Sequence, residues 1–174
     1  SAFTEADPNG HFASTSTRTS AAGVLRNETA YVYGDYTAGH FDALDIDFTL
    51  YNSSGSASDG NSGIAVSNTV DKINSHASPN ILVVFAESNG KTNVYLARGW
   101  FTAFDSITNT LLLNTLYYLT LSRAAGNDTV TLKIYDDSAR TNLVDTLTVS
   151  GYGTATYRYL YSGSSVNDGN NYSY

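Results

Sequence analysis

The stretch "LDIDFTLY" constrains this chain more than any other feature. Leu44, Ile46, Phe48 and Leu50 alternate with Asp45, Asp47, Thr49 and Tyr51. Period two puts the apolar set on one face of a strand and the polar set on the other. A helix would scatter the same side chains around its circumference, so this segment needs a sheet with one face on a core and one face wet. The pattern recurs. In "VTLKIY", Val130, Leu132 and Ile134 share one face, and Thr131, Lys133 and Tyr135 share the other. In "LYYLTLSR", Tyr117, Leu119 and Leu121 fall on one side. "KTNVYLARGW", "NLVDTLTV" and "ATYRYLYS" are further short β-rich runs, and "ILVVFA" at 81–86 reads as a central strand buried on both faces.

Turn chemistry separates these runs: "SSGSASDGNSG", "ESNGK", "AAGNDT", "DDSAR" and "VNDGNN". No window keeps helical periodicity over three turns, and "SNTVDKINS" has room for one short turn. The spacing predicts an all-β fold: an antiparallel two-sheet jelly-roll sandwich of roughly ten or more strands. At 174 residues the chain suits one domain. Residues 1–22 hold a Ser/Thr run and few large apolar side chains, and are expected to form an extended N-terminal arm or an edge strand; residues 23–174 form the sandwich.

A net charge of −7, with the nine Lys and Arg scattered singly, argues against a nucleic-acid or anionic-membrane partner. No apolar run is long enough to insert in a membrane. The absence of cysteine removes disulfides, thiolate metal sites and a cysteine nucleophile. The chain lacks methionine and begins at Ser1, which a cleaved secretory leader would explain. Asn-x-Ser/Thr sequons at Asn27, Asn52, Asn127 and Asn171 permit N-glycosylation. Together these features lead to the expectation of a secreted or cell-surface protein.

Between Ile134 and Leu143 the chain carries an acidic turn. Asp136 and Asp137 are weak candidates for a structural calcium ion, since adjacent carboxylates attract a hard cation. A closed calcium site needs six or more oxygens, and no ligand-spaced loop supplies them; turn formation, with Arg140 neutralising one charge, is the simpler reading. No cofactor is expected. The same region, "LLLNTLYYLTLSRAAGNDTVTLKIYDDSARTNLVDTLTV", resembles the later half of laminin-G-like domains of the concanavalin A-like lectin and glucanase superfamily. "VYGDYTAGHFDALDIDFTL" resembles an early strand pair of such a sandwich. The resemblance implies the sandwich fold and, by analogy, lectin-like glycan binding. Ser138 stands where the family usually has a glycine after the aspartate, and no metal ligands carry over.

Catalysis finds little support. Glucanases of this fold place paired carboxylates in a Glu-x-Asp-x-(x)-Glu arrangement, and Glu5, Glu28 and Glu87 lie in no such motif. Asp45 and Asp47 are the best carboxylate pair, although charges on an exposed strand face also discourage edge pairing. His11, His40 and His76 are dispersed and no nucleophile elbow exists. A non-enzymatic protein is expected. Aromatics remain: Trp100, which follows Gly99 and precedes Phe101 and Phe104, is a candidate for stacking on a sugar ring or for a core anchor. Tyr157, Tyr159 and Tyr161 read as one face of one strand, either a sugar platform or an inner face with hydroxyls at the rim.

Two functions follow. The first is a structural subunit that self-assembles into a filament or surface layer by strand or arm exchange. It would use the N-terminal arm and an open sheet edge left by the short segment after "NDGNN". The second is a glycan-binding, lectin-like carbohydrate-binding module.

Overall fold

The computed structural model describes residues 4–14, 19–22, 30–53, 61–70, 79–166 and 171–173. They form two antiparallel sheets packed as a sandwich, with no helix among the described residues. Sheet one runs β1 (Thr4–Ala6), β4 (Ala30–Asp35), β13 (Tyr159–Val166), β6 (Asn61–Ser67), β7 (Ile81–Ser88), β8 (Lys91–Arg98) and β9 (Ala103–Leu112). Sheet two has a body of long strands, β12 (Leu143–Val149), β11 (Val130–Tyr135), β10 (Leu116–Arg123) and β5 (Leu44–Ser53). It continues through the short β14 (Asn171–Ser173), β3 (Thr19–Ala22) and β2 (Phe12–Ser14).

Alternation builds the core. Leu44 and Leu50 of β5 and Val130, Leu132 and Ile134 of β11 are buried between the sheets, facing Ile81, Val83 and Phe85 of β7. Their wet neighbours Asp45, Asp47 and Lys133 are exposed. β7 is buried on both faces, because Leu82 and Val84 join Ala65, Ala97 and Tyr161 in a second cluster on the other side of sheet one. One register line crosses that outer side from Tyr33 through Tyr161, Ala65, Leu82 and Ala97 to Phe104.

Among the first 22 residues, where described, β1 and β2 are edge strands and β3 lies inside β2. β1 pairs with β4 at the rim of sheet one, and β2 pairs with β3 at the rim of sheet two. The closing strand is short and supplied in cis: β14 sits between β3 and β5 of its own chain. The Ser/Thr run over 15–18, most of "SSGSASDGNSG" and most of "SNTVDKINS" lie outside the described residues.

Candidate functional site

Strand directions gather the connections at 36–43, 99–102, 124–129 and 150–158 at one end of the sandwich. The segment 150–158 is their hub. Arg123, at the inward end of β10, is only 3% exposed. Its Nε donates to the carbonyl of Asn127 (2.8 Å), Nη1 to that of Ala155 (2.5 Å) and Nη2 to that of Gly153 (2.8 Å). Its guanidinium lies 5.8 Å from the centre of the Tyr157 ring. From the other side, Asp128 accepts the amides of Gly153 (2.7 Å) and Gly151 (2.9 Å). Those amide bonds hold the Asp128 carboxyl below the usual carboxylate range, aided by the nearby charges of Arg98 and Arg123. Arg98 Nη1 donates to the carbonyl of Gly151 (2.5 Å). Gly151 has φ 95, a backbone conformation strained for any residue with a side chain, and a Cβ there would also push the Arg98 guanidinium from its place.

This scaffold stands beside the turn between β8 and β9. Gly99 N donates to the carbonyl of Asn80 (2.7 Å) and Thr102 N to that of Arg98 (3.2 Å). Phe101 sits at φ 55, a left-handed conformation that costs a bulky L-residue about 1–2 kcal/mol. The turn presents Trp100, 36% exposed, and Phe104 follows at 55%. Trp100 meets Phe101 at 4.9 Å and 89°, while Phe101 meets Phe104 at 5.3 Å and 71°. Tyr95 of β8 supports Phe101 at 5.3 Å and 74°. The rings do not share a plane. They form an exposed, angular aromatic patch. An open depression of about 550 Å³ lies at the same end on the outer face of sheet two, with Asp45, Ser122, Asn127, Thr129 and Thr131 in its lining.

No protein-family model matches the chain, and no curated protein matches it in sequence. Solved structures do match. The legume lectin-like domain from Entamoeba histolytica superposes with a TM-score of 0.68 at 9% identity, over 98% of this chain and 85% of that one. The CBM2 module of the evolved Dit of Lactobacillus casei BL23 phage J-1 does so at 0.59 and 10%, over 95% and 79%. Scytalido-glutamic peptidase reaches 0.52 at 8%, over 78% and 63%. This is the concanavalin A-like lectin/glucanase fold. Because the same lectin-like fold carries a peptidase, function has to be argued from the side chains.

On the lectin-like fold the sequence candidates separate. Trp100 is at the surface, as a sugar contact requires. The tyrosines are not one stripe. Tyr157 precedes β13 and is wholly buried in the main core, with its hydroxyl donating to the carbonyl of Pro79 (2.7 Å). Tyr161 is 1% exposed in the second cluster. Only Tyr159 and Tyr161 keep the shared face, because regular alternation begins at Tyr159. The Tyr159 ring is half-buried and has the Arg158 guanidinium over it at 5.1 Å, itself paired with Asp35 at 2.6 and 2.9 Å. β6 and β7 separate Tyr159 from the Trp100 turn, about 14 Å at the usual strand spacing.

The acidic turn serves its own backbone. Asp137 accepts Thr141 N (2.9 Å), Thr141 Oγ1 (2.9 Å) and Asn142 N (2.7 Å), and the Asn142 amide above all lowers its pKa. No group of three or more His, Asp or Glu that could hold a metal ion gathers among the described residues. Arg140 reaches Asp47 (3.4 Å), not the turn's own aspartates. Among the sequons, Asn127 is exposed in the β10–β11 turn. Asn52 is 1% exposed, and its Nδ2, the atom that would carry a glycan, donates to Thr92 Oγ1 (3.0 Å) between the sheets. Asn171 lies in β14, and Asn27 falls outside the described residues.

Sequence reasoning missed Tyr95, Arg123 and Asp128. Arg123 left a signal: it continues the inward series Leu119, Leu121 in β10. Asp128 left none that distinguishes it from an ordinary turn aspartate.

Proposed function

We propose that this chain is a non-enzymatic, glycan-binding, lectin-like module whose contact surface is the aromatic patch at turn 99–102. One observation carries the reading: an indole held at the surface by a strained turn, beside a second exposed ring. Backbone strain persists where surrounding structure enforces it, and it concentrates at binding sites. A pyranose can bury its apolar face on such rings while its hydroxyls stay hydrated or reach nearby polar groups. The angular rings suit a single soluble glycan chain better than a flat crystalline surface. The chain's net charge of −7 favours neutral over polyanionic glycans. A glycan partner also fits the expectation of a secreted or surface-exposed protein.

A binding role agrees with the carboxylates. Glu87 is buried, with Oε1 accepting Gly90 N (2.8 Å). Asp47 accepts Thr120 Oγ1 (2.6 Å) and pairs with Arg140. Self-assembly by strand exchange draws less support, because β14 already fills its place beside β5.

The test is a glycan array followed by titration calorimetry on soluble neutral oligosaccharides. Trp100→Ala and Phe104→Ala should each weaken binding at least tenfold, about 1.4 kcal/mol, with Tm unchanged. An unmodified protein that binds nothing on a broad array defeats the proposal.

A further inference from the structure

Sheet edges invite strand addition because their outward amides and carbonyls lack sheet partners. In sheet one β9 is an edge, and in sheet two β12 is an edge; the two lie against each other along one side of the sandwich. Asp105 of β9 bridges them. Its Oδ1 accepts the amide of Ser106 on its own strand (2.9 Å), and its Oδ2 accepts the amide of Thr148 on β12 (2.8 Å). One strand position pair away, Asp145 Oδ1 accepts the amide of Thr146 (2.7 Å).

Alternation shows what these bonds accomplish. In β12, successive amides point alternately toward β11 and away from it. Thr146 and Thr148 are two apart and both meet carboxylates, so both belong to the outward set. These are the donors that an incoming strand's carbonyls would need. Carboxylates occupy them, and each also places negative charge where a neighbouring backbone carbonyl would have to approach.

We infer that Asp105 and Asp145 guard the β9–β12 side of the sandwich against strand pairing with a second copy of this chain, with Asp105 also latching the two sheets together. Removing the carboxylates exposes the Ser106, Thr146 and Thr148 amides. The complementary carbonyl row is then supplied by the same strand of another copy, in an isologous antiparallel pair.

The experiment compares the parent with the double variant Asp105→Ala, Asp145→Ala by analytical ultracentrifugation over a wide concentration range, with circular dichroism to check folding. The variant should keep the sheet spectrum and associate at concentrations where the parent does not, and crosslinks should map to β12. A folded variant that associates no more than the parent overturns the inference, as does association mapped to another edge. Should the variant fail to fold, amide hydrogen exchange on the parent decides. Ser106, Thr146 and Thr148 should be protected despite lying on edges, and exchange at free-peptide rates overturns the inference.

Discussion

Arg123 occupies a position that alternation reserves for an apolar side chain. Leu119 and Leu121 precede it on the same inward face, and its guanidinium reaches carbonyls about thirty residues further along the chain. Five donors in a rigid fork suit that task, and a lysine ammonium cannot span the same set. Arg123→Ala removes three hydrogen bonds from a charged donor to part-buried carbonyls, each worth about 1.5 kcal/mol or more. Urea denaturation should therefore show a loss of roughly 3–5 kcal/mol, of which Arg123→Lys recovers only part. Its inward placement was legible in the sequence. Its partners were not, because backbone carbonyls carry no residue-specific mark and come together only when distant loops meet.

At the scale of elements, turns decided more than strands. The "NG" between β7 and β8 is a hairpin signal, and Asn89 and Gly90 take φ 54 and φ 70, as a two-residue turn between twisted strands requires. Nothing lies within 4 Å of the position a Cβ would take at Gly90, so Gly90→Ala carries only the left-handed backbone cost. Thermal unfolding should report a loss of about 1–2 kcal/mol, with no change in glycan binding. The turn at 99–102 is longer, with positive φ at Gly99 and Phe101 but not between them, and it has a different purpose. Gly99 announces a turn, but nothing in "GWFTAF" reveals that Phe101 is the left-handed residue, since a phenylalanine there is chosen by its ring contacts with Tyr95, Trp100 and Phe104. Arg140, likewise at positive φ, turns from its own acidic loop toward Asp47 on β5. Register between β10 and β5, not sequence proximity, places that aspartate within reach.

Across the whole molecule, the two sheets are joined along both lateral sides, on one by the chain passing from β1 in sheet one to β2 in sheet two, on the other by Asp105. The loop end is held by tyrosines whose ionisation the fold resists. Burial pushes the Tyr157 hydroxyl up to about 12, with the Arg123 charge pulling the other way, and burial raises Tyr152 as well. A folded value above the ordinary value near 10 means that Tyr157 contributes its full stability below pH 10 and loses it as pH rises toward 12. Below pH 10, Tyr157→Phe should be less stable than the parent by about 1 kcal/mol, the worth of the bond to Pro79. Denaturation series at rising pH should show that gap closing between pH 10 and 12. Local pattern alone specifies the sandwich, its inward and outward faces and many of its turns, because period two and turn propensity act over a few neighbouring residues. It took the assembled sheets to place Trp100 at the surface and Tyr157 and Tyr161 inside, to close off Asn52 between the sheets, and to select which aspartates cap edge amides. Those outcomes depend on which strands become neighbours and which loops share one end, and that is settled by long-range packing that no local pattern encodes.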